Sequence, residues 1–250
     1  MSIAVVLKGK DAIVMATDGV WSEARVGTEE VYRHDNLQKL WNLQELWKLS
    51  HPIGLAVISN NVGLAEQLRE ELGRIISEHK LNNMGITEIA KNCAELANGF
   101  LNWLLPEPLL KLTMEYKHYM YFIFGGYDKD GNPHIGYFSH SAASLGFIPN
   151  PYPESMWIAG LSTIGNHLKK KVEMEMSTFS QTSLKRLAVV TILETHKIEP
   201  WVGERIQMLV IPQNGSACEV ETSDLDKIKT YVRENTQDLD ERLIEILKHS

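Results

Sequence analysis

The sequence predicts an α+β fold in which two antiparallel sheets pack together with helix layers outside. Three observations predict it. β-rich runs open the chain, the apolar period then changes to that of two successive amphipathic helices, and the same alternation of strand block and helix pair repeats further on. The chain has 250 residues, 44% of them apolar and 23% charged. That is enough to bury roughly 70–75% of its unfolded surface without a disulfide or metal staple.

The elements follow in order. Ile3 to Leu7 and Ala12 to Thr17 are β-rich runs parted by the polar tetrad Lys8-Gly9-Lys10-Asp11, a turn signal. Ile53 to Ser59 is apolar and too short for a helix, hence a buried strand. Leu64, Leu68, Leu72, Ile75 and Ile76 then fall on one helical face, with Glu66, Arg69, Glu70 and Arg74 on the other. A second stripe of Ile86, Ile89, Cys93, Leu96, Phe100 and Leu104 ends before Pro106. Trp41, Trp47 and Trp103 stand at apolar positions and read as core or subunit contacts.

Strands return at Tyr119–Phe124 and Ile135–Phe138, joined by a turn whose Asp130-Gly131 precedes Pro133. Residues 139–155 carry Pro149, Pro151 and Pro153 and read as an extended loop. A third helix carries Ile164, Leu168, Val172 and Met176. A fourth opens at Thr178, with Gln181 at capping-box spacing, and carries Leu184, Leu187, Ala188, Thr191 and Ile192. Arg205–Ile211 reads as a strand, Gln213-Asn214-Gly215 as a turn and Ala217–Val220 as the return strand. The last 28 residues read as helical, with Leu239, Leu243, Ile244 and Leu247 as their stripe. The division expected is one domain over 1–215 and a C-terminal extension over 216–250.

Composition narrows the function. The net charge of −7 argues against a nucleic-acid partner, and Lys169, Lys170 and Lys171 form too short a basic cluster to offset it. Cys93 and Cys218 make no ligand spacing, so no metal is expected and a reducing compartment is inferred. Cys93, on a buried stripe, is expected to be inert. The opening MSIAVVLKGK has neither the basic start nor the apolar length of a signal peptide, and no apolar run approaches a membrane span. The expectation is a cytoplasmic, unanchored protein.

No phosphate loop, dinucleotide fingerprint, metalloprotease motif or nucleophile elbow occurs. Chemistry could instead start at Ser2, which becomes the first residue if Met1 is removed, a removal that a small second residue permits. An N-terminal hydroxyl is a nucleophile whose own α-amine can serve as base, because an α-amine titrates at about 7.7–8.0.

Ser2-Ile-Ala-Val-Val-Leu-Lys followed by Ala12-Ile-Val-Met-Ala-Thr-Asp18-Gly resembles the opening of proteasome-type β subunits and their bacterial relatives, N-terminal-nucleophile hydrolases. Ser2 and Asp18 keep the 16-residue spacing between that family's processed threonine and its acidic residue. Ile58-Ser-Asn-Asn-Val-Gly-Leu-Ala65 and Phe124-Gly-Gly-Tyr-Asp-Lys-Asp-Gly131 agree with it in order along 1–215. The resemblance implies a four-layer αββα sandwich of two antiparallel sheets flanked by helix pairs.

It also implies roles. Ser2 matches the nucleophile, with serine in place of threonine. Asp18 matches the acid that orients the catalytic lysine; the bland reading is a carboxylate at a strand end. The lysine's place falls at His34 by spacing, whereas Lys39 fits with a shifted gap, and both stay open. A protonated Lys39 would lower the hydroxyl's pKa, and a neutral His34 could act as base. The oxyanion donor falls at the backbone N–H of Asn60, where the family prefers glycine. Glu199 stands near the second acidic position, ahead of Val202-Gly203, with Val202 where the family has serine. Ser162 is a supporting hydroxyl or simply a helix cap.

The function implied is amide-bond hydrolysis of a peptide or protein without metal or organic cofactor, in a homo-oligomeric ring; no residue specifies an ATPase partner. Acyl transfer to an amine would use the same nucleophile. The rival is a non-catalytic scaffold of the same fold, favoured by Asn60, Val202 and the displaced lysine.

Overall fold

The structure, a computed structural model, describes residues 2–24, 31–34, 37–59, 62–104, 120–140, 150–152, 155–160, 163–199 and 201–235. The chain divides into two compact units, Met1–Leu40 with Glu154–Ser250, and Trp41–Pro153.

The first unit is built on an antiparallel sheet in the order β10-β1-β2-β11-β12. Its strands are β1 (Ile3–Lys8), β2 (Ala12–Asp18), β10 (Met156–Gly160), β11 (Ile206–Pro212) and β12 (Cys218–Glu219). The turn joining β1 and β2 closes with the Gly9 N–H donating to the Ala12 carbonyl at 3.0 Å. Ile3, Val5, Leu7, Val14, Ala16, Met208 and Val210 form one apolar face, as strand alternation requires. That face shares a core with Leu168 and Val172 of α4 (Thr163–Val172), Leu184, Leu187 and Ala188 of α5 (Gln181–Ile198), and Leu225 and Val232 of α6 (Thr222–Asn235). The alternate residues Ala4, Val6, Ile13, Met15, Leu209 and Ile211 are buried too, which is why these strands read as continuous apolar runs. A separate antiparallel pair, β3 (Trp21–Ala24) and β4 (Val31–His34), aligns Trp21 with His34.

Three expectations need correction here. The capping box at Thr178 does not form: Ser180 caps α5, its hydroxyl accepting the Ser183 N–H at 3.3 Å. Thr178 instead ends a short 3-10 turn and donates its hydroxyl to the Glu175 carbonyl at 2.7 Å. That turn holds Met176, so α4 stops at Val172. The strand after Gly215 is only Cys218–Glu219. The final helix is described over Thr222–Asn235, and the stripe from Leu239 to Leu247 lies outside the described residues.

The second unit carries the sheet β5-β6-β7-β8-β9, comprising β5 (Leu40–Asn42), β6 (Ile53–Ser59), β7 (Met120–Tyr127), β8 (Pro133–His140) and β9 (Asn150–Tyr152). A one-turn helix α1 (Leu43–Leu46), too short to leave a periodic signal, follows β5. Leu55, Val57, Phe122, Phe124 and Phe138 make a core with Leu68, Leu72 and Ile76 of α2 (Val62–Glu78) and Ile86, Ile89 and Cys93 of α3 (Ile86–Leu104). Phe122 and Phe138 stack with ring centroids 4.9 Å apart. Trp41 and Trp47 are buried in this core, while the side chain of Trp103 lies outside the described residues. The β7–β8 hairpin closes as expected: Gly131 takes φ +81°, and the Asp128 carboxylate accepts the N–H groups of Asp130 and Asn132. One stretch read as loop holds a strand, because Asn150-Pro151-Tyr152 pairs with β8 at the sheet edge, where a missing N–H is tolerated.

Candidate active site

Ser2 precedes β1, Asp18 ends β2, and their strands are antiparallel neighbours, so the ladder itself carries the two side by side. The pairing of Ala4 with Thr17 leaves Asp18 level with the start of β1. There the Ile3 N–H donates to Asp18 Oδ1 at 2.9 Å. On the other flank, Ile3 pairs with Gly160 of β10. Gly160 has φ +95°, and a Cβ there would lie 1.9 Å from the Ser2 carbonyl oxygen, so both the conformation and the approach need glycine.

Lys39 enters from the segment leading to β5. Its Nζ donates to Ser2 Oγ at 2.7 Å and to Asp18 Oδ1 at 3.1 Å, and also reaches the carbonyl of Val20. An ammonium has three protons, and these are three acceptors. Ser2, Asp18 and Lys39 are 2%, 0% and 3% exposed, so the set is withdrawn from water. Burial holds the Lys39 ammonium below its usual range against the opposing pull of Asp18. Burial likewise pushes Asp18 up, countered by Lys39 and by the N–H groups of Ile3 and Gly203. Both shifts favour the uncharged forms. A lysine with a lowered pKa, in hydrogen-bond contact with a hydroxyl, can take that hydroxyl's proton and return it.

The opposite side of Asp18 is closed by the turn after α5. Glu199 ends that helix, its N–H donating to the Thr195 carbonyl at 2.8 Å and its carbonyl accepting from Val202 N–H at 3.0 Å. This turn delivers the Gly203 N–H to Asp18 Oδ2 at 3.3 Å. The carbonyl of the same peptide, on Val202, accepts from His196 Nδ1 at 2.5 Å. Gly19 N–H donates to the Arg205 carbonyl at 2.6 Å, tying the residues after β2 to the same turn.

Of the sequence-derived candidates, the structure therefore brings together Ser2, Asp18 and Lys39. His34 closes β4 opposite Trp21, and its side chain lies outside the described residues. Glu199 contributes backbone bonds that shape the turn toward Asp18. Asn60 and Ser162 lie outside the described residues. Sequence reasoning missed Gln207, whose carboxamide holds the Lys39 backbone, and the reach of Gly203 to Asp18. A lone polar residue in the run Ile206-Gln207-Met208-Leu209-Val210-Ile211 was the available signal for the first. Among the described residues no cluster of His, Cys, Asp and Glu could hold a metal ion, and no helix is long and apolar enough to cross a membrane.

No protein-family model matches the chain, and no curated protein does. Solved structures match its fold over full length. A Gly-1 mutant of Anbu from Hyphomicrobium sp. strain MC1 is 14% identical, with a TM-score of 0.67 and 100% of each chain covered. Another Anbu structure from the same strain gives a TM-score of 0.65 at 13% identity over 99% of each chain. Anbu, the ancestral beta-subunit, from Yersinia bercovieri gives 0.64 at 14% identity, over 99% of this chain and 97% of that one. At such identities the likeness is one of fold.

Proposed function

We propose that this chain is an amide-bond hydrolase of the proteasome-like N-terminal-nucleophile kind, with Ser2 as its nucleophile once Met1 has been removed. The observation that carries the reading is the 2.7 Å contact from Lys39 Nζ to Ser2 Oγ, backed by the buried carboxylate of Asp18. The full-length likeness to the Anbu structures, of which the one from Yersinia bercovieri is named ancestral beta-subunit, and the resemblance of the strand-opening motifs support the same reading. Asp18 holds Lys39, and Lys39 rather than His34 takes the lysine's part, because its amine already bonds the hydroxyl.

In this reading the Ser2 hydroxyl gives its proton to Lys39 or to the freed α-amine, and Oγ bonds the substrate carbonyl carbon. The oxyanion rests on a backbone N–H, assigned by resemblance to Asn60, a donor worth about 3–4 kcal/mol to the barrier. The C–N bond then breaks, the leaving amine takes the proton, and an ester to Ser2 remains. Water, deprotonated by the α-amine, attacks that ester, and its C–O bond breaks to restore Ser2. Met1 is bonded to the Ser2 nitrogen, so its removal is the step that creates the base.

The remaining parts of the reading are a peptide or protein substrate, a homo-oligomeric ring, a cytoplasmic site, a catalytic domain over 1–215 and an αββα layering. Ser162 and Glu199 would support the site, Glu199 through its turn. The rival scaffold reading draws on Val202, which is fully buried and supplies a carbonyl where the family has a hydroxyl. Intact mass spectrometry followed by an epoxyketone or β-lactone probe separates the two. Loss of Met1 and labelling abolished by Ser2→Ala support hydrolysis. Retained Met1, or labelling that persists in Ser2→Ala, overturns it.

A further inference from the structure

Lys39 stands five positions beyond the place that spacing from Asp18 predicts for the lysine, and something other than chain length must fix it there. Strand β11 holds a polar side chain between apolar neighbours, Gln207 between Ile206 and Met208. Ile206 and Met208 belong to the core shared with α5, so Gln207 points to the other face of the sheet. In register Gln207 lies opposite Thr17, while Ile206 lies opposite Asp18. Thr17 Oγ1 donates to Gln207 Oε1 at 3.4 Å.

The rest of the carboxamide is given to the lysine segment. Gln207 Oε1 accepts the Lys39 N–H at 2.8 Å, and Nε2 donates to the Leu37 carbonyl at 2.8 Å. One planar amide thus grips a donor and an acceptor two residues apart, which fixes both the height and the direction of the backbone as it reaches Lys39. The grip comes from a strand whose ladder to β2 sets the position of Asp18. Distances from Lys39 to Asp18 and to Ser2 are therefore referred to one frame, the β1–β2–β11 ladder.

We propose that Gln207 is a positioning residue of this site, setting the reach of Lys39 Nζ to Ser2 Oγ and thereby the proton affinity of that amine. This deepens the hydrolase reading and rests on it for its kinetic consequence. Its geometric consequence, the environment of the Lys39 amine, stands without catalysis.

Two substitutions and two readouts test it. Gln207→Leu keeps the volume and removes both bonds to the segment. Gln207→Glu keeps the acceptor for Lys39 N–H, loses the donor to Leu37 and adds a negative charge beside the Lys39 backbone. In full-length protein with 13C-labelled lysine, the Lys39 ε-methylene resonance, assigned by its absence in Lys39→Arg, is titrated in each variant. The expected result is a midpoint moved upward in both: in Gln207→Leu because the amine loosens toward water, in Gln207→Glu because a carboxylate favours the ammonium. β-Lactone labelling of Ser2 is expected to slow by about tenfold or more in Gln207→Leu, the effect of two ordinary hydrogen bonds. Its acidic limb is expected to move to higher pH in Gln207→Glu. Unmoved Lys39 midpoints in both variants would overturn the proposal. So would a Gln207→Leu protein labelling at the wild-type rate with the wild-type pH limb. If the wild type itself does not label at Ser2, the hydrolase reading fails, and the Lys39 titrations still decide the role of Gln207.

Discussion

Gly203 donates its N–H to Asp18 Oδ2 at 3.3 Å, and a Cβ at position 203 would lie 1.9 Å from Val20 Cγ2. The same short residue thus serves two purposes, feeding the carboxylate and making room for Val20, whose carbonyl receives Lys39 Nζ. The candidate site is held from outside Ser2, Asp18 and Lys39 as much as by them.

Gly203→Ala should displace Val20 and with it an acceptor of the Lys39 amine. Overpacking at a buried position costs about 1–3 kcal/mol. The expected outcome is a lower thermal midpoint together with slower β-lactone labelling of Ser2. Wild-type values of both would show that the turn has slack.

Gly160→Ala acts on Ser2, the proposed nucleophile, instead. At φ +95° and with a Cβ 1.9 Å from the Ser2 carbonyl oxygen, alanine must displace the Ser2 backbone and so disturb the contact of its hydroxyl with Lys39. Labelling is expected to be lost even in material that remains folded by circular dichroism.

Asp18→Asn removes the charge that raises the Lys39 pKa while leaving the burial that lowers it. The acidic limb of Ser2 labelling should therefore move to lower pH, since less alkali is needed to free the amine. Leaving one partner of a buried pair alone also costs about 3–5 kcal/mol, whereas replacing both is often near neutral. Urea unfolding should accordingly find Asp18→Asn with Lys39→Met more stable than Asp18→Asn alone, though unlabelled by the probe.

The pH dependence of stability has a defined sign. Lys39 is lowered from 10.5, so the unfolded chain binds the proton more tightly, and this group adds stability as pH rises through its folded value toward 10.5. Asp18 is raised from 3.8, so its contribution falls as pH rises from 3.8 through its folded value. Comparing the urea-unfolding free energy of wild type and Lys39→Met across alkaline pH should show the rising difference from Lys39. A flat difference would contradict it.

The two thiols should behave differently. Cys93 is fully buried, and burial pushes its pKa up, while Cys218 is exposed. A thiolate reagent should modify Cys218 alone in native protein and both residues after denaturation.

The strand pairs, both amphipathic helix pairs and the β7–β8 hairpin were legible because each depends on local period or on Asp-Gly turn chemistry. The proximity of Ser2 and Asp18 was legible for the same reason, since adjacent strands with a tight turn bring the two ends of that spacing to one edge of the ladder. Lys39 was not fixed by spacing, because the chain between it and Asp18 makes its own antiparallel pair, β3 with β4. Gln207 and Gly203 reach the site from 168 and 185 positions away, distances at which no periodic signal survives. The spacing that suggests a capping box at Thr178 does not single out the cap, because Ser180 stands two residues on and its hydroxyl meets the Ser183 N–H. Pro151 carries a loop signal in sequence because its missing N–H excludes helix and central strand, yet the same lack is tolerated at the sheet edge where it pairs.

The most direct measurement is tandem mass spectrometry of the N-terminal peptide from β-lactone-treated protein. Acyl chemistry at Ser2 predicts a peptide that begins at Ser2 and carries the adduct on the Ser2 oxygen. A peptide that still begins at Met1, or an adduct placed on any other residue while Ser2 stays unmodified, would contradict it.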